Sequence, residues 1–360
     1  MEKKNFIKID LLEKSSNLPK VRNYGIDLLK IIAMINVINL HINQHSYLLN
    51  LNPLDPKYKH VYCLEAFSIW PVNAFGLLSG IVGYKKYKFL NLIYIWFEYF
   101  FYSITIDFYS NFKSLKSPQI IFHSFFPLGK KRNWYVNAYF FMYLFLPFIT
   151  TSINILDKII FLKLVFFFLL VYSFYHSITT VLLKSNNYDY INEGYSSLWL
   201  LILYIIGAFI GRFYIRKYSV SSFYFFIIYL LSSFITSECL FLKWNIAFLK
   251  YYFPTIIIQA ISLIMFFSLI KISHKFLIKV ILFLNPLNFN VTLIHTLIIK
   301  KYYNFIKSLT PNFLFFKLYG ISILIYSISV SIDYFRFIIF KLLKIRILCS
   351  LIEKKFININ

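Results

Sequence analysis

Apolar residues run through this chain in blocks of about 20, the length a helix needs to cross the hydrocarbon core of a bilayer. Ten blocks can be read, at about residues 26–50, 61–83, 89–110, 134–156, 159–183, 195–215, 221–241, 252–272, 278–299 and 312–335. Segment 118–127, PQIIFHSFFP, is apolar but too short to cross, and reads as interfacial or re-entrant. The pattern predicts an all-α polytopic membrane helical bundle of about ten transmembrane helices. Residues 1–22 are polar and contain no cleavable signal pattern. No stretch outside the blocks exceeds about 25 residues, and no inverted repeat of the transporter kind is visible, so function is expected inside the bundle. The expected organisation is a tail over 1–22, a membrane domain over 23–340 and a basic tail over 341–360.

Composition agrees. Of 360 residues, 59% are hydrophobic and 14% charged, against about 45–50% and about 25% in a soluble domain. The 43 Phe and 30 Tyr suit a lipid-facing surface and interfacial belts rather than a cofactor box. Cys63, Cys239 and Cys349 stand far apart with no CxxC, so neither a metal nor a redox site is expected. The net charge of +24 would suggest nucleic acid in a soluble protein, but the basic residues fall mostly at the ends of apolar blocks, where they set topology. With the N-terminus in the cytoplasm, about 23 basic residues fall inside and about 14 outside. Both termini are therefore expected in the cytoplasm of a bacterial plasma membrane, with lipid as the surrounding partner and no nucleic acid. Lys113, Lys116, Lys130, Lys131 and Arg132 are the outer exception.

Ionisable residues inside the bilayer are costly unless satisfied or useful. The first block carries Arg22, Asp27, Lys30, His41 and His45. Lys30 and His41 are eleven residues apart, which on a helix is within about 20° of three full turns and a rise of about 16 Å. An ammonium and an imidazole therefore share one face. That spacing suits a long thin donor such as acyl-coenzyme A, with its phosphates held at Lys30 and its thioester at His41. His45 follows one turn later, and Asn36 and Asn39 add polarity that a lipid-facing helix would not carry. The plainer reading is that Lys30 snorkels, His41 is hydrogen-bonded to a neighbouring helix and His45 lies at the outer interface.

Arg22…Gly25-Ile26-Asp27-Leu28-Leu29-Lys30…His41 resembles the opening signature of the acyltransferase-3 family, integral-membrane O-acyltransferases of bacterial surface glycans. Glu65…Val72-Asn73-Ala74-Phe75-Gly76-Leu77-Leu78-Ser79-Gly80 is similar to the family's second-span segment. Trp134-Tyr135…Tyr139…Pro147, Gly207 with Arg212, and Asn285-Pro286…Leu293-Ile294-His295 match its later landmarks, so the resemblance covers about residues 20–340. It implies a ten-span acyltransferase transferring an acetyl or other short acyl group from acyl-coenzyme A, with acetyl-coenzyme A as the expected donor, to a hydroxyl of a surface polysaccharide or lipid-linked glycan precursor. His41 would be general base or acyl carrier, with Glu65 and His295 as further catalytic candidates. Arg22, Lys30, Lys85 and Lys88 would hold the donor, and Asn73 and His45 the acceptor. Many members carry an Arg-x-x-Arg pair after the second span, where this chain has Lys85 and Lys88, cations without the bidentate fork of arginine.

Glu98 and Asp107, nine residues apart, fall on opposite faces of the third block, and Asp333 with Arg336 reads as a local i, i+3 ion pair. Ser79-Gly80 reads as a close-packing site. The alternative function is a transporter or flippase for a lipid-linked or surface glycan, which ten spans and a polar first helix would also serve.

Overall fold

Asn23 accepts from the Ile26 amide (3.1 Å) and starts helix α1, Tyr24–His45. The computed structural model describes residues 22–46, 48–85, 87–110, 122, 125–129, 133–183, 191–215, 221–242 and 246–357. The tail to residue 21, Lys86, Lys113, Lys116, Lys130, Lys131, Arg132, Arg216, Lys217 and most of segment 118–127 lie outside the described residues.

The second block divides before Pro71 into α2 (Tyr58–Ser68) and α3 (Pro71–Gly83), with the proline at a first-turn position where its missing N–H costs nothing. Then come α4 (Phe89–Ser110), α5 (Trp134–Ile155) and α6 (Lys158–Leu182), the last with a π-helical turn at Leu170–Tyr175. Next are α7 (Ser197–Phe213), α8 (Ser222–Phe241) and α9 (Pro254–Leu269). The series closes with α10 (Lys275–Asn288), α11 (Val291–Lys301), α12 (Leu314–Leu342) and α13 (Ile345–Ile357). Asn133, Asp157, Ser196 and Ser221 each cap the helix that follows.

Each predicted block is helical, as an all-α polytopic bundle requires. Among the described residues eight helices are long and apolar enough to cross by length and composition, or nine when α10 and α11, bent by 83°, are taken as one span, with the 17-residue α7 as a further, shorter apolar helix. Two blocks depart from a long straight span. Helix α7 has only 17 residues and packs in the interior, burying Trp199, Leu200, Leu203 and Tyr204. The ninth block carries Pro286 and then Asn288-Phe289-Asn290, whose missing backbone donor and local polarity break it within the bundle. Non-helical backbone at that depth is tolerated where it is buried in protein or lines a cavity. Lipid-facing character is clearest on α6, where Ile159, Phe166 and Phe167 point outward. The region expected as a basic tail contains α13, whose Glu353 accepts from the Leu90 amide (3.0 Å) at the start of α4.

Helices α3 and α7 meet through two facing Gly-x-x-x-Gly runs, Gly76–Gly80 and Gly207–Gly211. A Cβ added at Gly80 would lie 1.9 Å from the Tyr204 carbonyl oxygen, and one at Gly207 would lie 2.0 Å from that of Leu77. Small residues let the backbones approach closely in a setting where lipid supplies no hydrophobic drive. Gly207→Ala is expected to destabilise the protein by about 1–3 kcal/mol, read as a lower unfolding midpoint in detergent. Gly320→Ala, inside α12 where an added Cβ meets nothing within 4 Å, should not lower that midpoint and is expected to raise it slightly, since alanine favours the helix.

Polar glue also joins α1 to α12. Asn36 donates to the Tyr319 hydroxyl (3.1 Å), and the Ser322 hydroxyl donates to Asn39. A second contact is ionic: Arg336 on α12 pairs with Asp333 (2.7 Å) and with Glu98 on α4 (2.8 Å). Asn290, at the bend between α10 and α11, donates to the same Glu98 carboxylate (3.0 Å), and Tyr102 donates to Asp333 (2.7 Å). The Asp333–Arg336 pair is therefore part of a buried network binding three segments rather than a local contact.

Candidate functional site

Helix α1 runs from one end of the bundle, the near end, to the far end. Its face carrying Lys30, Met34, Val37, His41 and His45 lines a cavity of about 1200 Å³. Toward the near end Val82 and Asn91 share the lining, and at the far end Glu193, Lys250 and Lys300 do, so the cavity follows the length of α1. The expected alignment of ammonium and imidazole is present, both side chains lining the cavity, with His41 one turn from the far end of α1.

At the near end Asp27 organises the cations. Lys30 Nζ lies 3.1 Å from one carboxylate oxygen and Arg22 Nε 2.5 Å from the other. Two positive charges on one carboxylate leave a net positive mouth. Lys30 lines the cavity; Arg22, half exposed, does not. Asn288 donates to the Lys30 carbonyl (3.0 Å) and Asn285 to that of Asp27 (3.3 Å), which seats α10 against the start of α1. Lys85 and Lys88 are exposed and do not line the cavity; they stand between its lining residues Val82 and Asn91.

Toward the far end three imidazoles gather. The His41 ring centroid is 4.8 Å from that of His295 and 5.6 Å from that of His45, the latter nearly parallel at 18°. His295 reaches this position because the bend before α11 turns its helix across the cavity. Its Nδ1 lies 2.7 Å from the Val291 carbonyl oxygen. A carbonyl only accepts, so Nδ1 carries the hydrogen and the neutral ring keeps its lone pair on Nε2. That Nε2 and the Nδ1 of His41 are buried without a hydrogen-bond partner. The Val291 carbonyl thus fixes the tautomer and orientation of the His295 ring, leaving its basic Nε2 in the cavity beside His41.

Glu65 lines the same cavity, but it is held by Asn43, whose amide donates to it (2.8 Å), and no hydrogen bond joins it to His41. Asn73 lies outside the lining. Its amide donates to the Tyr251 carbonyl (2.7 Å) and its oxygen accepts from the Trp199 indole (3.0 Å), so its carboxamide is spent on the framework of the far end. This differs from the expected acceptor contact, because a residue on the α3 face turned toward α7 cannot also face the cavity. Tyr195, Tyr251, Glu65 and Glu193 all line this one cavity.

Several participants were not singled out from the sequence. Asp27 as anchor for two cations was legible from its i, i+3 spacing to Lys30. The Lys250–Glu193 ion pair and Lys300 at the far mouth join distant segments and leave no local signal. Among the described residues no group of three His, Cys, Asp or Glu side chains is arranged to hold a metal ion.

A family model, Acyl_transf_3, described as an acyltransferase domain, matches residues 23–332. No curated protein and no solved structure matches the chain.

Proposed function

The chain belongs to the Acyl_transf_3 family and is a multi-pass membrane acyltransferase, and from that premise we propose that it moves an acetyl or other short acyl group from acyl-coenzyme A to a glycan hydroxyl. The observation that carries this reading is the single cavity joining the Lys30 mouth to the His41–His295 pair about 16 Å away along α1. The donor enters from the near end, taken as cytoplasmic from the basic-residue bias, with its phosphates at Lys30 and Arg22 and its thioester reaching the imidazoles. The acceptor enters from the far end.

His41 takes the proton of the attacking hydroxyl as that oxygen bonds to the thioester carbonyl carbon. The C–S bond then breaks and the departing thiolate receives the proton from the imidazolium. The Nε2 lone pair of His295 stabilises the charge that His41 carries between those two transfers. His45, Glu65 and Lys300 face the acceptor side of the same space.

Purified protein given acetyl-coenzyme A should release coenzyme A in proportion to glycan supplied, and surface glycans from cells lacking the gene should each be lighter by one acyl increment. A cavity following the length of a helix would also serve a glycan transporter, which should release no coenzyme A under any condition. Lys30→Met removes the ammonium without setting a second carboxylate beside Asp27. It is expected to raise the KM for acetyl-coenzyme A by about tenfold, the worth of one charge-assisted hydrogen bond, with little change in the KM for acceptor. An equal change in both would assign Lys30 a structural role.

A further inference from the structure

Three aromatic rings from three separate segments meet at the far mouth. The centroid of Trp134, the first residue of α5, lies 4.6 Å from that of Tyr195, which lies 5.0 Å from that of Tyr251. Trp134 and Tyr251 are 6.1 Å apart and inclined by only 28°. All three line the cavity that holds His41 and His295. Interfacial belt aromatics face lipid headgroups; here Tyr251 is buried, Trp134 is half-buried and Tyr195 keeps 38% of its surface exposed while lining the cavity.

The surrounding chain is built to hold them. Asn192, Glu193 and Gly194 are consecutive residues with positive φ, 48°, 57° and 93°. Only glycine adopts this region freely, so a glutamate held there is backbone strain, which persists where the surroundings enforce it and concentrates at ligand sites. Four contacts enforce it here. The Tyr251 amide donates to the Glu193 carbonyl (3.2 Å), Lys250 pairs with the Glu193 carboxylate, Asn73 fixes the Tyr251 carbonyl, and Asn73 is itself fixed by Trp199. A Cβ at Gly194 would lie 2.5 Å from that of Tyr251, so the tyrosine sits directly on the turn.

We propose that Trp134, Tyr195 and Tyr251 form the acceptor subsite, a stacking platform for one hexopyranose ring of the glycan. This rests on the acyl-transfer reading above and names the group that recognises its acceptor. A pyranose presents an apolar face of C–H bonds that gains from contact with an aromatic surface, while its hydroxyls project around the rim. Glu193 and Lys250 form an ion pair beside the rings, and Glu65 lines the same cavity. The alternative ligand of an aromatic cluster, a quaternary ammonium, needs rings standing apart around a hole. Here the rings touch one another and enclose no such hole. A sugar stacked on the platform places a hydroxyl toward the histidines, where the donor's acyl group arrives.

The test titrates methyl glycosides of glucose, galactose, N-acetylglucosamine and rhamnose into detergent-purified His41→Ala protein without acyl donor, and reads tryptophan fluorescence. At least one glycoside should bind, Tyr195→Ala in that background should weaken it about tenfold, and Tyr195→Phe, which keeps the ring, should restore it. In otherwise wild-type protein Tyr195→Ala should raise the acceptor KM by a similar factor with kcat little changed. Binding by none of the four glycosides, or equal binding with and without the Tyr195 ring, overturns the platform. So does a parallel rise in the KM for acetyl-coenzyme A, which marks general damage. Ring-dependent sugar binding in a protein that never transfers an acyl group would keep the platform and sink the acyl-transfer reading instead.

Discussion

Replacing His41 with alanine is expected to lower acyl transfer by about 10²–10⁴-fold, the usual contribution of a positioned general base. The loss should fall on kcat, with the KM for acetyl-coenzyme A little changed, because the donor's charged end is held some three helical turns away at Lys30. His295→Ala should cost less. It removes the ring 4.8 Å away that shares the developing charge but leaves the primary proton acceptor in place. The double variant should fall little below His41→Ala, since groups acting as one unit are not additive. Stopped-flow measurement of coenzyme A release, with and without acceptor, checks all three proteins. A His41→Ala protein that transfers at the wild-type rate would remove the imidazole from the chemistry.

Arg336→Met is expected to destabilise the bundle by about 3–5 kcal/mol, the cost of stripping one partner from a buried ionic contact. Arg336 is 1% exposed and is the cation between Glu98 and Asp333; without it two carboxylates remain in the bilayer interior. The damage should spread, because Glu98 also receives the Asn290 hydrogen bond at the bend that delivers His295 to the cavity. Activity in surviving protein should therefore fall as well, chiefly through kcat. The triple variant Glu98→Gln, Asp333→Asn, Arg336→Met removes every charge and should recover most of the stability, since an apolar or neutral replacement of a whole buried pair is often harmless. Unfolding midpoints in detergent decide the matter, and a midpoint for Arg336→Met equal to wild type would make the network dispensable.

The helices were largely legible because spans are local: a run of apolar residues, a cap such as Asn23 or Asp157, and a proline at a first turn are neighbours in the chain. The lengths of individual helices were less so. Helix α7 has only 17 residues, and the glycine contact with α3 holds it in the interior of the bundle. The bend at 288–291 depends on Asn290 finding Glu98, a partner invisible from the asparagine itself. Asn36 and Asn39, polar where lipid would forbid it, turned out to serve helix contact with α12 rather than the site.

Within the site the division follows the same line. The shared face of Lys30 and His41 follows from helix geometry alone, because rise and rotation per residue are constant wherever a helix forms. That family signature, with the charge pattern and the apolar periodicity, is what one dimension determined. Only the folded bundle decided that His295 would stand beside His41, that Arg336 would join Glu98, that Asn73 would brace Tyr251 instead of facing the cavity, and that Trp134, Tyr195 and Tyr251 would touch. These contacts cross between helices whose apolar surfaces look alike. They are selected by close packing and by the need of each buried polar group for a partner, neither of which leaves a spacing that can be read along the chain.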